Sequence, residues 1–82
     1  MTYVEKWLEQ SFALTGAERR LAIALLKGER LKQFAETRQI SVNTSRVQLA
    51  SIFAKTGVKR QADLILLIMA ANADGSQESF AR

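Results

Sequence analysis

The chain has no cysteine, no histidine and no proline, and each absence removes a class of explanation. Without cysteine there is no disulfide framework. Without cysteine and histidine together, the usual ligands of structural zinc, haem and iron–sulfur clusters are missing. The fold must stand on packing, and no cofactor or metal is expected. No Ser/His or Cys/His pair exists to activate a nucleophile, which leaves carboxylates, lysines and hydroxyls as catalytic material. Glu5, Glu9, Glu29 and Glu36 form no recognisable acid–base constellation. The glycines at 16, 28, 57 and 75 are isolated rather than gathered into a phosphate-cradling loop. An enzyme is not expected.

Long apolar stretches are also missing. The longest run, Leu64 to Ala71, has eight residues, far short of the ~20 needed to span a bilayer. The first residues lack the basic-then-apolar order of a secretion signal. The expectation is a cytoplasmic protein with no membrane partner.

What is present is an 82-residue chain rich in helix formers, which predicts one all-α domain with a modest core. Its net charge of +4 is unevenly spread. Residues 1–26 are neutral overall, residues 27–60 carry eight basic against two acidic side chains, and residues 61–82 are net negative. A basic middle third favours a polyanionic partner.

Thr2 predicts the start of a helix running to about Phe12, with apolar residues on two sides, so that residues 1–13 form an N-terminal helix or the remnant of a linker. Thr15-Gly16-Ala17-Glu18 reads as a capping box opening a second helix that stops at Gly28. Leu21, Ala22, Ala24 and Leu25 form its core face, and Ile23 and Leu26 need a further partner, for which the first helix is nearest. A short helix over Leu31 to Thr37 buries Leu31, Phe34 and Ala35. Ser41 then caps a helix over Val42 to Lys55 whose inward face is Ser45, Leu49, Ile52, Phe53 and Thr56. Asn43, Arg46, Val47, Ala50 and Ala54 are left on the opposite face. After Gly57 comes a last helix, Gln61 to Ala71, apolar nearly all round, which predicts a partner surface through Leu64, Leu67 and Ile68, most simply with a second copy. Residues 72–82 read as a flexible tail.

A helix, a tight turn and a second helix with a polar, basic outer face is the helix-turn-helix pattern of major-groove binding. Arg46 suits a guanine edge, and Val47, Ala50 and Ala54 suit thymine methyls. Lys55, Lys59 and Arg60 would flank the phosphate backbone.

The residues also carry a resemblance. Leu14-Thr15-x-Ala17-Glu18, Gly28, Phe34-Ala35-Glu36, Ile40-Ser41-x-Asn43-Thr44-x-Arg46-x-x-Leu49, Ile52-Phe53-x-Lys55-x-Gly57-Val58 and Gln61-Ala62-Asp63-Leu64 resemble the LuxR-type helix-turn-helix domain of bacterial transcription regulators. The resemblance covers about residues 14–69, and the domain is assigned to 14–71. It implies a four-helix unit, here with an additional N-terminal helix, that binds double-stranded DNA as a homodimer. Base contacts are implied for Arg46, Val47 and Ala50, and backbone contacts for Asn43, Thr44 and Lys55. Such domains are commonly the output of a longer chain, so an upstream sensor domain or RNA polymerase is an implied partner, and the nucleoid an implied location. The sequence departs from the family where Gln39 stands for a usual glycine, Arg38 for an aliphatic residue, Arg30 for a Ser or Thr cap and Ser45 for Val or Ala. Two alternatives compete: a sigma-factor-like promoter-binding region, and a protein-interaction module using the apolar last helix.

Overall fold

A computed structural model describes residues 2–80 of the chain, with side chains through residue 72. These residues form five helices: α1 (Tyr3–Phe12), α2 (Gly16–Leu26), α3 (Leu31–Arg38), α4 (Val42–Thr56) and α5 (Gln61–Phe80). No strand occurs among them, and the fold class is all-α. Among the described residues, no helix is long and apolar enough to cross a membrane.

Local chemistry explains most helix ends. Thr2 and Thr15 open α1 and α2 with reciprocal capping boxes. The Thr15 hydroxyl accepts from the Glu18 amide at 3.2 Å while the Glu18 carboxylate accepts from the Thr15 amide at 2.9 Å, so two otherwise unpaired donors are satisfied at once. Ser41 opens α4 by accepting from the Thr44 amide at 2.9 Å. Arg30 precedes α3 in extended conformation with no cap of its own, because a guanidinium has no acceptor to offer. The nearby Gln33 side chain takes the Arg30 amide at 3.4 Å instead.

Helix α2 is the central element. It packs against each of the other four, and α3 lies across α4. Leu21, Ala22 and Leu25 of α2 meet Leu8 of α1, Leu14, Phe34 of α3, Ile52 of α4, and Leu64 and Ile68 of α5 in one core. Ile23 and Leu26 pack at the edge of that core together with Val4, Trp7 and Phe12 of α1, and Trp7 and Phe12 stack edge to face with centroids 5.3 Å apart. On α4 the inward residues are those expected, with Ser45 and Ile52 fully buried. The Ser45 hydroxyl donates to the Val42 carbonyl at 2.6 Å, which removes the cost of a buried unpaired group.

Two expectations for the last helix are corrected. Leu64 and Ile68, assigned to a contact between copies, are 0% and 1% exposed. They are consumed by the chain's own core, since they lie four residues apart on the stripe that faces α2. The helix also passes Ala71 and continues to Phe80. Asn72 is next on the same stripe, buried, with its side-chain amide donating to the Ile68 carbonyl at 2.7 Å. The remainder of the expected tail, Ala81 and Arg82, lies outside the described residues.

The α3–α4 turn keeps the backbone that a glycine would favour. Gln39 sits at φ 58°, ψ 41°. Its amide reaches the Glu36 carbonyl at 3.2 Å, and the Ile40 amide reaches Ala35 at 3.0 Å, the paired closing bonds of a Schellman motif. Ile40 packs on the core just beyond. These contacts hold a glutamine in a left-handed conformation that costs roughly 1 kcal/mol. Gly57 ends α4 in the same region, at φ 82°. We predict that Gln39→Gly raises unfolding free energy by about 0.5–1 kcal/mol, while Gly57→Ala lowers it by about 1 kcal/mol although an added Cβ would meet nothing within 4 Å. Urea denaturation of the two variants beside the parent checks both signs.

Candidate nucleic-acid interface

Helix α4 presents a face that no other element covers. Asn43, Val47, Ala50 and Ala54, spaced i, i+4, i+7 and i+11, are all exposed, with Arg46 beside them, and Val47 is 63% accessible despite its branched apolar side chain. The sequence places the same residues there, because the core stripe through Ser45, Leu49, Ile52 and Thr56 leaves that arc free. Arg46, Val47 and Ala50 thus share one surface, and Asn43 joins it at the helix start. Thr44 is exposed but further round, and its hydroxyl oxygen accepts from the Ser41 hydroxyl at 2.9 Å.

The basic residues at the far end separate. Ala50, Phe53, Ala54, Gly57, Val58 and Lys59 line a shallow groove, so Lys59 extends the exposed face. Arg60 is mostly in solvent, and its Nε lies 3.2 Å from an Asp63 carboxylate oxygen. That exposed i,i+3 pair contributes little to stability but shares the charge of Arg60.

Lys55 is a correction. Nine residues beyond Arg46, it falls about 180° round the helix. Its ammonium donates to Glu18 Oε1 at 2.7 Å and to the Ala13 carbonyl at 3.3 Å. The charge expected on a phosphate is instead paired with Glu18 at the edge of the fold, where the Lys55 side chain stays one-third accessible, and it joins α4 to α2 and to the link between α1 and α2.

Glu18 is the hub of that junction and a residue to which sequence reading assigns only a cap. Its Oε2 accepts from the Ser51 hydroxyl at 2.6 Å, and its Oε1 serves both Lys55 and the Thr15 amide. Burial opposes its charge, yet the hydrogen bonds from Lys55, Ser51 and Thr15, with the charge of Lys55, outweigh it and hold the carboxyl at about 2. Local pattern carries the cap but not the pairing with α4, because Lys55 is 37 residues away.

Apolar exposure on α5 also differs from expectation. Leu66 and Met69 are 62% and 57% accessible, and Leu67 is half-buried. With Leu64 and Ile68 turned inward, the free apolar stripe of α5 runs through Leu66 and Met69.

Comparison of the chain with protein families, with curated proteins and with solved structures finds no match.

Because the folded carboxyl of Glu18 titrates below the 4.5 of an ordinary glutamate, the stabilisation it brings is fully present above that value. It is lost as pH falls from 4.5 towards 2. We predict that Glu18→Gln costs about 1–3 kcal/mol at neutral pH and that the gap between variant and parent narrows on acidification through this window. Chemical unfolding at pH 7, 4 and 2.5 measures it, and a gap independent of pH would mean that the charge of Glu18 is not what holds α4.

Proposed function

We propose that this chain is a LuxR-type helix-turn-helix domain that binds double-stranded DNA sequence-specifically as a bacterial transcription regulator, with α4 in the major groove and two copies acting together. The observation that carries this reading is the uncovered face of α4. It combines an arginine, an asparagine and small apolar side chains on a helix of about 10–12 Å diameter, which matches a groove about 12 Å wide. Arg46 offers two parallel donors to a guanine edge, and Val47, Ala50 and Ala54 allow close approach and contact with thymine methyls. Asn43, Thr44, Lys59 and Arg60 remain proposed backbone contacts, without Lys55. Ser41 already takes the Thr44 amide at the start of α4, and the positive end of the helix dipole there favours a nearby phosphate. An upstream sensor domain or RNA polymerase is the proposed regulatory partner.

The test is equilibrium binding of the chain to a randomised duplex pool at several salt concentrations, with the recovered sequences read out. A steep salt dependence and an enriched two-fold symmetric motif are expected. In that assay Arg46→Ala is predicted to lose about 1–3 kcal/mol on the recovered site and to relax preference at one base position. Equal loss on every sequence would contradict direct readout by Arg46.

For self-association the proposed contact is the exposed side of α5. Leu66→Glu is predicted to shift sedimentation towards the monomer with helicity unchanged, since a charge would be buried unpaired in the contact. Unchanged sedimentation of a dimer would take this face out of the interface. The same exposed pair, Leu66 and Met69, favours the second reading, a protein-interaction module. A folded chain that fails to bind DNA even at low salt would decide for it.

A further inference from the structure

Arg20 of α2 and Arg38 of α3 are exposed, and neither makes an ion pair among the described residues. Together with Ala17, Phe34, Ile40 and Gln48 they line a cleft of about 410 Å³. Its position relative to the exposed face of α4 follows from helical register. Gln48, Ser51 and Lys55 are spaced i, i+3 and i+7, and α2 lies along them: Gln48 shares the cleft with Ala17 and Arg20, while Ser51 and Lys55 bond Glu18. At 3.6 residues per turn, that stripe is about 100° from the stripe of Asn43, Val47, Ala50 and Ala54. The N-terminal half of α2 is therefore a wall beside the exposed face, not a floor behind it. On the other side of the same face lies the groove that ends at Lys59.

A helix seated in the major groove has one phosphate strand rising on each of its flanks. We propose that Arg20 and Arg38 form a phosphate clamp on the α2 flank of α4, holding the backbone of one DNA strand while Lys59 meets the other. The inference rests on the DNA-binding reading above and adds to it a site on α2 and α3. Both side chains are guanidinium forks suited to phosphate oxygens. Arg38 is held in position by Phe34, with its guanidinium carbon 5.3 Å from the ring centroid. Gln48 lines the same cleft, and its Oε1 is buried without a hydrogen-bond partner. Two carboxylates compete for these cations, because Glu5 and Glu29 line the neighbouring cleft with them. Glu5 already accepts from the Thr2 amide at 2.7 Å, and neither carboxylate is within ion-pair distance of either arginine.

The experiment uses the duplex recovered by the wild-type chain from the randomised pool, titrated from about 50 to 300 mM salt. The proteins are Arg20→Gln, Arg38→Gln, the double variant, the charge-preserving Arg38→Lys, and Lys6→Gln on exposed α1. Each arginine lost is expected to flatten the slope of log K against log salt by about one and to weaken binding at 0.1 M salt roughly five- to tenfold. The preferred motif stays the same, Arg38→Lys keeps the slope, Lys6→Gln has no effect, and circular dichroism shows the variants folded. A double variant with the wild-type slope, or an equal flattening by Lys6→Gln, overturns the clamp and leaves the DNA reading standing. A wild-type chain with no salt-dependent binding overturns both.

Discussion

Glu18 accepts hydrogen bonds from the Thr15 amide, the Ser51 hydroxyl and the Lys55 ammonium, and through them one carboxylate does two jobs that are normally separate. It completes the cap that starts α2, and it fixes the rotation of α4 about its own axis. A helix with a low contrast between its faces, such as α4 with Ser45 and Gln48 towards the core and Val47 and Ala50 away from it, is weakly specified by apolar burial alone. The buried Glu18 carboxylate supplies the missing register through Ser51 and the part-exposed Lys55, because turning α4 would leave it without those partners at a cost of about 1–3 kcal/mol. Which residues of α4 meet solvent is thus decided on α2.

The same interaction redistributes the charge that the linear sequence suggests. Read along the chain, residues 27–60 form a basic block. In the fold, Lys55 is neutralised by Glu18 and Arg60 is shared with Asp63. Arg20, outside that block, comes to lie with Arg38. Among the described residues, the cations beside α4 without an ion pair are Arg46 on its open face, Lys59 at one side, and Arg20 with Arg38 at the other. A patch drawn from sequence order would include a lysine whose charge is paired with Glu18 and omit an arginine that makes no ion pair among the described residues.

What sequence reading recovers and what it misses divide along the range of the interaction involved. The caps at Thr2, Thr15 and Ser41, the stop at Gly57 and the inward stripe of α4 are legible, since each is set within about one or two turns of chain. The left-handed turn at Gln39 is legible only through comparison with a family that favours glycine there, and the closing bonds to Ala35 and Glu36 explain why glutamine can stand in it. The fate of Lys55 depends on a partner on another helix and leaves no local signal. In α5 the apolar residues surround the helix, so periodicity cannot say that Leu64 and Ile68 turn inward while Leu66 and Met69 stay out. That choice is made by the shape of the α2 surface. The extension to Phe80 is missed for a related reason, because a polar Asn72 reads as the end of an apolar segment although it lies on the buried stripe.

The open face of α4 is short of long polar side chains, and this bears on how the proposed regulator would divide affinity from specificity. Ala50 and Ala54 have no side-chain donor or acceptor, so on the proposed reading direct hydrogen-bond readout would fall to Arg46, with methyl contacts from Val47 and the alanines. A few such contacts discriminate among bases by about 1–3 kcal/mol each but do not by themselves hold a small domain on DNA against the loss of its freedom. Phosphate contacts on both flanks would supply that remainder and would also fix the depth to which α4 enters the groove, which is what allows small side chains to reach base edges. On the proposed reading, a groove-binding helix with one long polar side chain, Arg46, would leave its neighbours to carry more of the binding. Arg20 of α2 and Arg38 of α3, without an ion pair among the described residues, are the proposed source of those contacts.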